Sequence, residues 1–302
     1  MGEQVHDVPP GGRGLLSAIA AYAMWGLLPL YFHALTGVSA LLVLAHRVVW
    51  SAALLAIVVL ALGRARSIVA AARGRTLLLL CASASLIALN WLVYIWAVQH
   101  GHVLEASLGY FINPLVSVAL GIAVLRERLR RWQGVAIAIA SLGAAAMALG
   151  GGSGIFISLA LAFTFGFYGL LRKVAAIDSL GGLTVETMLL LPISLWWLLH
   201  SARSGSIGFD QGPVTTGLLV AAGAITATPL LLFAHAARLL PLKELGLLQY
   251  LAPTLQFIIG MALGEHLRPL FFLTFGVIWL GCGIYAWDSL RSARSNRASA
   301  GQ

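Results

Sequence analysis

Residues 38–62 read VSALLVLAHRVVWSAALLAIVVLAL, and Arg47 is the only Asp, Glu, Lys or Arg in this stretch. A helix of this length, rising about 1.5 Å per residue, is long enough to cross a hydrocarbon core of about 30 Å. The stretch therefore predicts a membrane-spanning helix that carries a single charge inside the membrane.

The same pattern recurs along the chain. Charged residues are 10% of the 302 residues, whereas soluble proteins carry about 25%, and the mean hydropathy is +0.93. Only the breaks at 63–75 and 201–213 exceed ten residues, so there is no room for a soluble domain. The sequence predicts an all-α protein of the lipid bilayer with ten spans, at 14–34, 38–62, 76–98, 103–125, 133–150, 154–172, 181–200, 214–237, 244–264 and 269–289.

The formal net charge of +9 could indicate nucleic-acid binding, but its placement favours a membrane topology signal. With a cytoplasmic N-terminus, sixteen of the 19 Lys and Arg residues fall on the cytoplasmic side, and only Arg203 and Arg268 fall outside. Lys and Arg are enriched in cytoplasmic loops. We therefore expect an even number of spans, both termini in the cytoplasm and no nucleic-acid partner.

An internal repeat relates two halves of the chain. Matched pairs recur at a nearly constant offset in numbering, including Glu105 with Glu244, Pro114 with Pro253, and Gly26 with Gly166. Each copy contains five predicted spans, and an odd number forces the second copy to enter the membrane from the opposite face. Inverted repeats are typical of secondary transporters, whose substrate sites lie near the midplane where the halves meet.

The repeat also predicts the division of the chain. It gives a disordered cytoplasmic tail at 1–13, a first five-helix repeat at 14–150, a second at 151–289 and a basic cytoplasmic tail at 290–302. The glycine-rich run at 150–154 connects the halves. It lacks the Lys-Ser/Thr pair of a phosphate-binding loop, so ATP is not predicted to drive the protein directly.

Arg47 and its neighbour His46 are the strongest candidates for a functional site. Ionisable residues in hydrocarbon are costly and mark functional sites by default, and Arg47 lies near the middle of its span. Two interpretations stay open at this point: Arg47 binds a solute in a wet cavity, or it ties helices together through carbonyls or a carboxylate.

Further candidates line three other spans. Asn90 and Tyr94 share one face of the third span, although aromatic residues there could equally serve packing. The fourth and ninth spans each carry a proline beside polar residues, and paired broken helices in the two halves point to a transporter site; a purely structural kink is the alternative. The predicted substrate-binding residues in these two spans are Tyr110, Asn113, Gln249, Tyr250 and Gln256, with helix breaks at Pro114 and Pro253.

Glu186 is the first choice for a carboxylate that carries a coupling proton or pairs with a cation, because it lies inside the seventh span. Glu105 and Glu244 lie close to span ends, where solvation is the simpler interpretation. His100 and His102 lack the third and fourth ligands of a metal site, and Cys81 and Cys282 lie within spans. No metal, cofactor or disulfide is predicted.

Several motifs together resemble the RarD permeases, within the EamA-type transporters of the drug/metabolite transporter superfamily. The resemblance covers nearly all of residues 14–288 and rests on AYAMWGLLPLYF (21–32), LAHRVVWS (44–51), HGHVLEASLGYFINP (100–114), FGFYGLLRK (165–173), GLTVETMLLLP (182–192) and GLLQYLAPTLQF (246–257). It implies ten helices in two inverted EamA-like repeats, a central cavity, and the bacterial inner membrane. Members of this family are named chloramphenicol-sensitivity permeases.

These observations favour a secondary carrier of a small metabolite or drug-like solute that works by alternating access. A non-transporting membrane receptor is the main rival. A membrane-embedded enzyme is disfavoured because the sequence contains no HExxH, GxSxG or intramembrane aspartate pair. The oligomeric state is left open, a homodimer included.

Overall fold

The computed structural model describes residues 10–126, 132, 134–135, 138–139, 141–143, 154–203, 205, 207–240, 248–265, 269, 272–273, 275–277, 279–281, 283–284 and 287. Within this part of the chain the structure is helical and contains no strand. The helices are α1 (Pro10–His33), α2 (Ala40–Ala61), α3 (Ala65–Ala71), α4 (Gly74–Gln99), α5 (Val103–Leu125), α6 (Ile155–Val174), α7 (Ser179–Arg203), α8 (Pro213–Leu239) and α9 (Leu251–Ala262).

Seven of these helices, all except α3 and α9, are long and apolar enough to cross a membrane. Large apolar side chains such as Leu78 and Phe156 cover the outside of the bundle, as a lipid-facing surface requires. The prediction of an all-α membrane protein is thus confirmed for the described residues. The spans predicted at 133–150 and 269–289 lie largely outside them, so the ten-helix count stays a prediction.

Three local details differ from the expectations. Helix α1 begins at Pro10, so the last residues of the predicted tail are helical; a proline suits this position because the first N–H groups of a helix have no partner to lose. The break at 63–75 contains the short helix α3. Pro114 does not interrupt α5, which continues from Val103 to Leu125, because a membrane bundle tolerates the missing N–H of a proline.

The helix ends meet at two ends of the bundle. We call the end that carries residues 34–39, 100–102 and 207–212 the A end, and the end that carries residues 62–73 and 175–178 the B end. At the A end, the Gln211 side-chain amide donates to the Gly37 carbonyl and so connects the segments 207–212 and 34–39. Glu265 also lies there and accepts from the backbone N–H groups of Val103 and Leu104, at 2.6 and 2.8 Å. Its carboxylate thus caps the first turn of α5.

Helix packing is reciprocal between the two halves of the chain. Helix α1 packs on α8 and α9, while α6 packs on α4 and α5. Helix α2 packs on α8, and α7 packs on α4; the pairs α2 with α7 and α5 with α9 also touch. Each of these pairs joins a helix before residue 150 to a helix after it. The buried core therefore lies largely between the halves.

Two glycines allow close approaches between these helices. A Cβ atom at Gly26 of α1 would lie 2.7 Å from the Leu255 side chain of α9, and one at Gly166 of α6 would lie 2.6 Å from the Val116 side chain of α5. The offset of the repeat that matches Gly26 with Gly166 also matches Val116 with Leu255, to within a single position. The two glycines that the repeat matches therefore pack against two side chains that the repeat also matches.

Candidate functional site

Arg47 of α2 is buried, with 4% of its surface exposed. Its Nε donates to the Thr226 hydroxyl of α8 at 2.9 Å. Its guanidinium carbon lies 4.5 Å from the centre of the Trp91 ring and 5.3 Å from that of Phe32. Nη1 is enclosed and has no hydrogen-bond partner, and no ion pair to Arg47 is formed within the described part of the chain. The guanidinium is therefore packed against two aromatic rings and has no counter-charge among the described residues.

A wall of polar aromatic residues stands beside Arg47. The Tyr94 ring contacts the rings of Phe32 and Tyr110, with centroids 5.8 and 5.5 Å apart. The Tyr110 hydroxyl donates to the Asn90 side-chain oxygen at 3.1 Å, and the Asn90 amide donates to Thr164 and the Leu161 carbonyl of α6. The Tyr94 hydroxyl has no partner. The Asn90 side chain thus forms its hydrogen bonds within the protein, whereas Tyr94 and Arg47 each have a hydrogen-bond donor without a partner.

His46 faces a different neighbour from Arg47. Its Nε2 lies 2.9 Å from the Ile207 carbonyl, and its ring lies against Phe209 with centroids 4.8 Å apart. Both partners belong to the connection between α7 and α8. His46 therefore holds this connection over the A end of α2, one residue away from the buried guanidinium.

Glu186 of α7 forms a second buried cluster, closer to the B end. It is 1% exposed and accepts from the Ser83 hydroxyl of α4 at 2.5 Å and from the Tyr168 hydroxyl at 3.4 Å. Arg172 of α6 lies 3.7 Å away, from its Nε to a Glu186 oxygen. Phe165 touches both Tyr110 and Tyr168, so an aromatic row connects the two clusters.

Comparisons with known proteins agree with one another. Residues 12–149 match the model of the EamA-like transporter family. An uncharacterised transporter of Pseudomonas aeruginosa is 46% identical over 93% of this chain and 96% of its own length. Protein RarD of Streptomyces exfoliatus is 44% identical over 94% of this chain and 91% of its own length.

The chain belongs to the RarD family of EamA-like transporters. It is accordingly a multi-pass membrane protein of a transporter family. A crystal structure of a protein 17% identical superposes with a TM-score of 0.62 over 91% of this chain and 98% of the other. That similarity shows that the same fold occurs in an experimentally determined protein.

The remaining predicted residues of this RarD-family chain contact residues other than Arg47. Gln249 and Tyr250 form a turn before α9, and Tyr250 stacks on Phe111. The Gln256 amide donates to the Trp25 carbonyl of α1, and its oxygen has no partner. Asn113 accepts from Ser117 within α5, and Pro253 is the third residue of α9. Glu244 lies outside the described residues.

Other predicted ionisable residues lie near helix ends. His100 stacks on Trp96, and His102 pairs with Glu105 at 3.6 Å. Among the residues that the structure describes, no group of three or more His, Cys, Asp or Glu could hold a metal ion. His100, His102 and Glu105 thus contribute to contacts at the A end.

The partners of the two buried charges were not predicted from the sequence. Thr226 and Ser83 are inconspicuous because a hydroxyl in a helix can satisfy itself on the preceding turn. Phe32 and Arg172 lie in the motifs, but neither motif pairs them with Arg47 or Glu186. The one available signal is the offset of the repeat, which matches Arg47 with Glu186 and Phe32 with Arg172 to within a single position.

Proposed function

We propose that this protein is a secondary carrier of a small organic solute, which it moves across the bacterial inner membrane by alternating access. Arg47 and Tyr94 form the core of the solute site, and Tyr110 and Asn90 form the wall that supports Tyr94. The observation that carries the proposal is the buried, unneutralised guanidinium of Arg47, held by Thr226 from the other half of the chain. An alternating-access site needs groups from both halves, because the halves move relative to each other.

Two inverted five-helix repeats, at 14–150 and 151–289, form the moving halves in this proposal. The reciprocal packing of α1 and α6 supports it, as do the matched contacts of Gly26 and Gly166. Arg47 and Glu186 are each the eighth residue of their helices. Helix α2 begins at the A end and α7 at the B end, as an inverted pair would. We assign the A end to the outside and the B end to the cytoplasm, with both termini cytoplasmic.

Glu186 is the candidate for proton coupling. Protonation would remove its charge and with it the ion pair to Arg172, and the bond from Ser83 joins the two halves at the B end. Loss of the charge would also weaken the bond from Ser83, which is charge-assisted while Glu186 is ionised, and so loosen the contact between the halves on the cytoplasmic side. Gln249, Tyr250, Gln256 and Asn113 complete the proposal as a second wall, and Pro253 in the first turn of α9 is its flexible point.

Cysteine labelling tests alternating access without a known solute. Ser51 lies one turn beyond Arg47 on the same face of α2 and is buried, while Ile57 of the same helix is 64% exposed on the outside of the bundle. In a chain freed of Cys81 and Cys282, a membrane-impermeant maleimide should label Ser51→Cys from either side of the membrane. Ile57→Cys should be labelled from neither side, because it faces lipid.

Labelling of Ser51→Cys from one side only, or from neither, would contradict alternating access and favour a receptor.

Topology is checked separately by two reporter fusions. A reporter after Arg297 should be active in the cytoplasm, and one within 201–213 should be active outside. For coupling, Glu186→Gln in reconstituted vesicles should abolish gradient-driven accumulation and leave solute exchange measurable. Unchanged gradient-driven accumulation would show that Glu186 is not the proton-coupling residue.

A further inference from the structure

The repeat places Arg47 and Glu186 at matching positions of α2 and α7. Glu186 contacts Arg172 of α6, which provides its counter-charge. The position that matches Arg172 in the first half is Phe32 of α1, and Phe32 is a ring that lies against the Arg47 guanidinium. Each buried charge therefore contacts the matching position of the preceding spanning helix. Only in the second half does that position carry an opposite charge.

Arg47 and two residues of α2 and α4 have enclosed hydrogen-bond donors without partners. Nη1 of Arg47, the Trp50 indole N–H and the Tyr94 hydroxyl are all enclosed without hydrogen-bond partners. Trp50 lies three residues beyond Arg47 on the same face of α2, and Tyr94 shares the Phe32 ring with Arg47. A site with spare donors and an unbalanced positive charge lacks an anionic acceptor.

The orientation of the guanidinium restricts the shape of that acceptor. Nε is already engaged by Thr226, so the side edge of the fork is occupied and the end edge, Nη1 with Nη2, remains. Two parallel N–H groups on one edge match the two oxygens of a carboxylate. The guanidinium carbon lies 4.5 and 5.3 Å from the centres of the Trp91 and Phe32 rings, and the Nη edge is left for a ligand.

We propose that the transported solute is a small organic carboxylate, whose two oxygens bind the Nη edge of Arg47 and one of which also accepts from the Tyr94 hydroxyl. This inference rests on the proposed carrier function and adds the chemical class of the solute. A cationic solute would meet an unbalanced positive charge, and a neutral solute would leave that charge buried and unpaired.

The test compares matched compounds that differ only in the head group. Indole-3-acetate, indole-3-acetamide and tryptamine form one set, and benzoate, benzamide and benzylamine form another, with inorganic phosphate as a further anion. The melting temperature of the detergent-purified protein is measured with each. The acids should raise it in a concentration-dependent manner, while the amides and amines should not. In Arg47→Gln the apparent affinity for the acids should fall about 10- to 100-fold, because charge-assisted bonds are lost.

Thr226 provides a second pair of variants that retain the charge. Thr226→Val removes the acceptor that orients Arg47 and should weaken acid binding about five-fold, whereas Thr226→Ser should restore it. Equal stabilisation by amides or amines, acid binding that survives in Arg47→Gln, stabilisation by phosphate alone, or no response to any acid would overturn the carboxylate assignment. Two-sided labelling of Ser51→Cys would still stand in those cases, so failure of this inference is distinguishable from failure of the carrier proposal.

Discussion

Arg47 and Glu186 are two buried charges at matching places, and they differ in what the protein provides around them. Glu186 receives a serine hydroxyl, a tyrosine hydroxyl and the cation of Arg172. Arg47 receives one threonine hydroxyl and two aromatic rings. A charge that is neutralised within the fold contributes to holding the helices, whereas one that is left unbalanced is available to a ligand. The comparison therefore separates stability from solute binding, and variants at the two sites should separate them too.

The largest expected effect on stability comes from Arg172→Ala. Removing one member of a buried ion pair leaves the other charge uncompensated, at a cost of about 3 to 5 kcal/mol. Unfolding in detergent micelles, followed by circular dichroism, measures this loss. Arg66→Ala is the matched control, because Arg66 is exposed on α3 and should change stability little.

The double variant Arg172→Ala with Glu186→Gln sharpens this prediction. It removes the stranded charge and should recover at least half of the lost free energy of unfolding. If the double variant is as unstable as Arg172→Ala alone, the loss comes from packing of the arginine side chain and not from its charge.

A smaller effect is expected from Gly182→Ala, which displaces Arg172 without deleting it. A Cβ atom at Gly182 would lie 1.5 Å from Nη1 of Arg172 and 2.1 Å from its guanidinium carbon. The guanidinium must move away, and it loses Glu186 and the carbonyls of Asp178 and Ser179. We expect a loss of about 1 to 3 kcal/mol, since overpacking typically costs that much.

Gly169→Ala on α6 is the control for this substitution. No atom outside its own helix lies within 4 Å of a Cβ at that position, so the change should be neutral or stabilising by up to about 1 kcal/mol. Equal effects of the two alanines would show that the Arg172 guanidinium has room to move.

Arg47→Ala should change stability by only about 1 kcal/mol while it abolishes uptake. The variant loses a hydrogen bond worth about 1 kcal/mol and two cation–π contacts, but it also removes a buried charge that costs on the order of 3 kcal/mol in hydrocarbon. Arg47→Lys should likewise fold and lose most uptake, because lysine keeps the charge and lacks the planar fork. Melting temperature and vesicle uptake of the same preparations measure both. A loss of stability as large as that of Arg172→Ala would assign Arg47 a structural role.

The sequence predicted the helices well because their length and apolar content follow from the bilayer. The predicted spans 38–62 and 103–125 correspond to α2 (Ala40–Ala61) and α5 (Val103–Leu125). Arg47 and Glu186 were also found this way, because a charge in a long apolar run is conspicuous. Contacts between helices depend on how the helices are rotated and tilted, which hydropathy does not record.

The partners of the buried charges depend on contacts between helices, which hydropathy does not predict. Thr226 and Ser83 become recognisable only when α8 and α4 are packed against α2 and α7. Pro114 does not end α5, because a proline removes one backbone hydrogen bond but does not by itself end a helix that is packed on both sides. The repeat does hold a signal for these charges, since its offset pairs Arg47 with Glu186 to within a single position.

The smallest expected effect concerns Arg64 and Asp178, an ion pair at the B end. Arg64 donates to both oxygens of Asp178, at 3.0 and 3.1 Å, and the two side chains are 34% and 42% exposed. Burial on its own would raise the pKa of the Asp178 carboxyl group. The hydrogen bonds and charge of Arg64, with the backbone N–H of Gly181, outweigh it and lower this pKa below its ordinary value.

Asp178→Asn and Arg64→Ala should therefore each cost less than about 1 kcal/mol, as exposed ion pairs do, and less still at high salt. A lowered carboxyl pKa stabilises the folded state above the ordinary pKa of about 4, and this stabilisation is lost as the pH falls through the lower value. The difference in melting temperature between the parent protein and Asp178→Asn should thus be constant between pH 7 and 5 and shrink below about pH 4.

High salt should separate this exposed pair from the buried one. Because Arg172 lies in the same region but pairs with the buried Glu186, Arg172→Ala should retain its large loss of stability in high salt. A salt-resistant loss in Arg64→Ala as large as that of Arg172→Ala would contradict the distinction between the exposed and the buried pair.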